Sequence, residues 1–71
     1  MTNTPKLKAI MVEKGYTQAD LAKLLNISEQ TMNYKINNRR EFKASEIQML
    51  IKILEIPSEQ VDGIFFVHDV D

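Results

Sequence analysis

Apolar residues recur along this chain at the spacing of helix faces, in five short runs parted by polar and turn-forming residues. Leu7, Ile10 and Met11 make the first stripe, Leu21, Leu24 and Leu25 the second, and Met32 with Ile36 the third. Ile47, Leu50, Ile51 and Leu54 form the fourth, widened by Met49 and Ile53, and Val61, Ile64 and Phe65 face inward in the fifth. The breaks between the runs have local causes. Thr4-Pro5 opens the first helix with proline at its first position, and Gly15 closes it after Lys14 in a left-handed cap. Pro57-Ser58 breaks and restarts the chain, with Ser58 predicted to cap a fifth helix over Glu59 to about Phe65. The fourth helix runs from about Ala44 to Glu55. Met1 to Thr4 reads as a frayed end, and Phe42 as a buried anchor for the polar loop that begins at Asn37. The pattern predicts an all-α fold of five helices.

The middle of the chain, Thr17 to Asn38, carries the sharpest local signals. Thr17 can cap the second helix, with Asp20 three residues on completing a capping box, and Ser28 can cap the third. Asn26 stands between them and tolerates the left-handed backbone that a tight turn needs. Ile27 then plugs the corner, and small Ala22 sits where the two helices cross. Two short helices joined this way form a helix-turn-helix layout. Lys43 occupies the cap position of the fourth helix, where lysine is a poor choice, with Glu46 three residues on. A lysine there makes sense if its amide or side chain meets a phosphate.

Gln18-Ala19-Asp20-Leu21-Ala22, then Asn26-Ile27-Ser28 and Thr31, resemble the Cro/C1-type, lambda-repressor-like helix-turn-helix family. The run from Tyr34 to Phe42, followed by Ala44-Ser45-Glu46-Ile47, is similar to small repressors and repression modulators of temperate phages. The likeness covers about residues 6 to 66. It implies a helix-turn-helix domain over 1–66 with a short acidic tail at 67–71, and a phage-type transcriptional regulator in a lysis–lysogeny-like switch. The alternative it leaves open is a modulator of repression or antirepressor acting by direct contact with a repressor.

With Met32 and Ile36 turned inward, Gln30, Asn33, Tyr34 and Asn37 fall on the opposite face of the third helix, and Glu29 lies at its first turn. Gln and Asn can bond adenine twice, Glu can accept from cytosine, and Tyr can reach a phosphate or a thymine methyl. The family resemblance implies base reading by Glu29, Gln30, Asn33 and Tyr34, and phosphate contact by Gln18. Thr31 and Asn37 are also expected to bind phosphate. Glu29 has a second use, steadying the helix start by its charge. Tyr34 could instead lie half-buried against the following loop. Lys35, Arg39, Arg40 and Lys43 form a basic cluster suited to clamping phosphates beside a groove. Lys35 departs from the family pattern, in which an apolar residue is common at that place.

Composition narrows the partners. The 71 residues include no cysteine and one histidine, which leaves no thiolate or histidine-based metal site. No apolar run approaches the roughly 18 residues of a membrane helix. No nucleophile–base pair, glycine-rich phosphate loop or paired carboxylate stands out, so neither an enzyme nor a cofactor is expected. A cytoplasmic location is expected, in a bacterial host cell. The net charge of −1 hides an asymmetry. Residues 1–54 carry +4, while residues 55–71 carry five acids and no Lys or Arg. The expected partner is double-stranded DNA, bound by a homodimer or by a complex with a phage repressor. Ile64, Phe65, Phe66 and Val67, with Val70, are the expected contact surface for a partner or a second copy; a disordered end beyond Phe66 is the other reading.

Overall fold

Capping chemistry sets the helix ends. The computed structural model describes residues 1–68, and over these the chain forms five helices and no strand. Helix α1 spans Thr4–Lys14, α2 Gln18–Leu25, α3 Glu29–Ile36, α4 Ala44–Ile53 and α5 Ser58–Phe65. Asn3 accepts from the Lys6 amide at the start of α1, and Gly15 closes it at φ 79°, a conformation that costs glycine little. Thr17 and Asp20 exchange both bonds of a capping box, at 2.9 and 3.1 Å. The Asp20 carboxyl is held below its ordinary range, chiefly by the Thr17 amide. Asn26 takes the left-handed turn at φ 58°, and Ser28 caps α3 through the Thr31 amide at 3.0 Å.

Two boundaries differ from expectation. Helix α4 ends at Ile53, because Glu55 turns left-handed at φ 53° and sends the Ile56 amide back to the Ile51 carbonyl. Helix α5 starts one residue early. Pro57, pre-set at φ −61°, is the cap residue, its carbonyl accepts the Gln60 amide, and Ser58 is already helical.

Packing then selects among the apolar positions. Leu7 and Met11 of α1, Leu21, Ala22 and Leu25 of α2, and Met32 and Ile36 of α3 are buried together. Leu50, Leu54, Ile56, Ile64 and Phe65 close the core from the other side, and Phe42 meets Phe65 edge-on at 5.9 Å. Helix α2 packs on both α3 and α4, while α1 packs on α5. On so short a helix as α2 the buried face is Leu21, Ala22 and Leu25; Leu24 lies off that face and is about half exposed. Met49 is likewise exposed on α4.

The amino terminus is not frayed. Met1 and Val67 exchange two hydrogen bonds, at 3.0 and 2.9 Å. Thr2 is buried and exchanges two with the Asn38 side chain, at 2.8 and 2.9 Å. The Asn3 amide donates to Ile64 and the Thr4 hydroxyl to the Ile36 carbonyl. At about 0.5–1.5 kcal/mol per bond, this set rivals a helix cap several times over. It also places Val67 with the folded body, not with a separate tail. The proposed acidic end falls mainly on residues 69–71, outside the described residues. No helix among the described residues is long and apolar enough to cross a membrane.

Candidate nucleic-acid interface

The outward face of α3 depends on what its inward face buries. Met32 and Ile36 have no exposed surface, so the side of α3 opposite them looks outward, while Lys35 at the edge of their stripe is buried with them. Glu29, Gln30, Asn33 and Asn37 are exposed, and Tyr34 is half-buried. The helix is oriented against α2 through polar as well as apolar contacts. The Gln18 side chain, at the first turn of α2, donates to the Glu29 carbonyl at 3.5 Å and accepts from the Asn33 side-chain Nδ2 at 3.4 Å. Both bonds are long and exposed, so Gln18 and Asn33 can exchange them for other partners. Thr31 is committed locally, its amide and hydroxyl both engaged with Ser28. Asn37 donates to the Asn33 carbonyl at 2.9 Å.

A second cluster forms where α3 ends. The Gln30 side-chain amide donates to the Tyr34 hydroxyl at 2.9 Å, one helical turn on. The Arg39 and Arg40 guanidinium groups lie 5.7 and 5.6 Å from the centre of the Tyr34 ring. Their backbone amides both return to the Tyr34 carbonyl, at 2.8 and 3.3 Å. The half-buried ring against the loop was one of the two readings of Tyr34 from sequence. It leaves the hydroxyl proton free to donate while the ring supports two cations. Each such cation–aromatic contact contributes about 0.5–1 kcal/mol at an exposed site, enough to bias the arginine rotamers. Arg39, Arg40 and Lys43 are exposed and outnumber Glu41 in this loop, leaving a net charge of +2.

Lys35 does not join them, which corrects its assignment to phosphate. Its side chain is 6% exposed and meets the Glu46 carboxylate at 2.5 Å. Burial by itself would raise the Glu46 carboxyl, but the Lys35 ammonium and the Lys43 amide bond it, and it sits below its ordinary value. The Lys43 amide is taken by Glu46 at 2.8 Å, so it is not available to an anion; the Lys43 side chain stays exposed. Lysine has no acceptor, and Glu46 supplies the cap of α4 from within the helix. Lys35 follows Met32 by three residues and precedes Ile36 by one, at the edge of the buried stripe. That spacing was the available signal, though only with Glu46 opposite does it become a buried pair.

The expected partner surface also needs correction. Ile64 is fully buried and Phe65 nearly so, both in the core, so neither offers a broad surface to another chain. Phe66 is half exposed and Val67 is engaged with Met1. Phe66 and Met1 instead border a cleft of about 290 Å³ whose wall includes Phe42, Ile47 and Phe65, with Arg40 and Glu41 at its edge. Residues missed in the sequence are Thr2 and Asn38, which join the loop to the amino terminus. Asn38 at φ 65° follows the same left-handed rule as Asn26, so its backbone, though not its partner, was readable.

A family model described as "Protein of unknown function (DUF739)" matches residues 3–68. No curated protein and no solved structure matches the chain.

Proposed function

We propose that this chain, which belongs to the DUF739 family, is a small phage-type transcriptional regulator that binds operator DNA. In this reading α2 and α3 form a Cro/C1-type, lambda-repressor-like helix-turn-helix, and α3 enters the major groove. Gln30, Asn33 and Tyr34, with Glu29 at the first turn, read base edges. Gln18, Thr31, Asn37, Arg39, Arg40 and the Lys43 side chain hold phosphates. Two copies, or one copy with a partner repressor, would cover half-sites about 34 Å apart. The protein works by binding and not by catalysis, in the cytoplasm of a bacterial host. The observation that carries this reading is the Tyr34 cluster. It places two arginines beside the polar face of a helix whose opposite face is fully buried.

The test is fluorescence anisotropy on duplex DNA across roughly 50–200 mM salt. Affinity should fall steeply with salt. The slope of log affinity against log salt should drop by about 2 in the Arg39→Ala/Arg40→Ala variant, one unit for each lost phosphate contact. Binding that ignores salt, or a double variant with the parent slope, would refute the assignment of the loop. A second reading keeps the fold and makes the chain a modulator of repression that contacts a repressor directly. The half-exposed Phe66 and Met1 beside the Phe42 cleft favour it. It predicts weak duplex binding alone and a stable complex with a co-encoded repressor on size exclusion.

A further inference from the structure

The segment Met1–Thr4 reaches three separate parts of the fold. It bonds the end of α5 through Ile64 and Val67, the end of α3 through Ile36, and the following loop through Asn38. The last of these joins the strap to the cationic loop. Asn38 stands immediately before Arg39 and Arg40, in a left-handed conformation that its short side chain tolerates. That side chain accepts from the Thr2 amide and donates to the Thr2 carbonyl, as two paired strands would do. On the other side, the Arg39 and Arg40 amides are held by the Tyr34 carbonyl. The loop is thus fastened from two directions, by α3 and by a strap anchored on α5.

We infer that Asn38 is a positioning residue for the arginine loop: tied to the amino-terminal strap, it holds Arg39 and Arg40 where they can grip a phosphodiester backbone. It needs no contact with nucleic acid itself. The inference rests on the DNA-binding reading of that loop. Its physical basis is preorganisation. Adjacent Cα atoms are about 3.8 Å apart, so a fixed Asn38 sets where Arg39 begins and narrows where Arg40 can begin. Without the strap only Tyr34 holds this loop, so binding must order more of its backbone, and affinity falls accordingly.

Asn38→Gly isolates the effect, because glycine keeps the left-handed backbone and removes both bonds to Thr2. Two readouts are taken: anisotropy on a mixed-sequence duplex at low salt, and amide hydrogen exchange. Asn38→Gly should weaken duplex binding roughly three- to tenfold. The loss should vanish in the Arg39→Ala/Arg40→Ala background, since Asn38 acts only through those side chains. Exchange of the Arg39 amide should quicken about tenfold relative to the core amide of Leu54. Asn38→Asp, which keeps the acceptor for Thr2 and loses the donor, should fall between parent and glycine in the exchange experiment. Unchanged exchange, unchanged affinity, or an equal loss with and without the arginines each overturns the inference. Should the parent chain show no salt-sensitive duplex binding, the DNA reading fails by itself. The exchange arm then still decides the strap: quickened Arg39 exchange upholds it and unchanged exchange removes it.

Discussion

Lys35→Met tests the buried ion pair that joins α3 to α4. The substitution keeps most of the side-chain volume and removes the ammonium from a carboxylate that is itself 9% exposed. Breaking a buried pair by deleting one partner costs about 3–5 kcal/mol. Glu46 retains the Lys43 amide and can escape by taking up a proton, which favours the lower end, about 3 kcal/mol. A domain of 71 residues is stable by only about 4–11 kcal/mol. The melting temperature should therefore fall by roughly 12–24 °C, read by circular dichroism at pH 7.

The pH dependence carries the sharper test. The Glu46 carboxyl lies below 4.5 in the folded parent, so its contribution is present above pH 4.5 and fades as pH drops through the folded value. In Lys35→Met the opposing burial prevails, the carboxyl moves up, and a neutral Glu46 is tolerated. The gap between parent and variant should thus narrow from pH 7 towards pH 4. Lys35→Met/Glu46→Leu should recover most of the loss at pH 7, because apolar replacement of a whole pair is often neutral. A single variant within about 1 kcal/mol of the parent, or a double variant no more stable than the single, would refute the reasoning.

Two further outcomes follow from burial and backbone geometry. Phe65→Ala should cost about 3–5 kcal/mol in urea unfolding, while Phe66→Ala should stay within about 0.5 kcal/mol of the parent. Equal effects would refute the core placement of Phe65 and favour its other reading, as part of a partner surface. Asn26→Gly should hold or raise stability, since glycine takes φ 58° without strain. Asn26→Ala should lose about 1 kcal/mol, and a neutral alanine variant would argue against a left-handed turn there.

What could be read without coordinates was local. The Thr17–Asp20 box, the Ser28 cap, the Gly15 stop and the Asn26 turn each depend on atoms within about one helical turn. Residue type and spacing carry that information directly. The inward choice of Met32 and Ile36 was readable for a similar reason, since periodicity alone separates the faces of a helix. The polar outward face, Gln30 and Asn33 included, followed from it.

Tertiary structure decided what lies between elements. Lys35 is chemically a good phosphate ligand, and only the arrival of Glu46, eleven residues on, turns it into a buried strut. Ile64 and Phe65 had two readings in the sequence, as part of the inward stripe and as a partner surface with Phe66 and Val67, and packing keeps only the first. Thr2 meets Asn38 across 36 positions, and Met1 meets Val67 across 66. Hydrogen bonds within a helical turn are governed by local backbone geometry. Those spanning the chain depend on how five helices stack, which no short stretch of residues encodes.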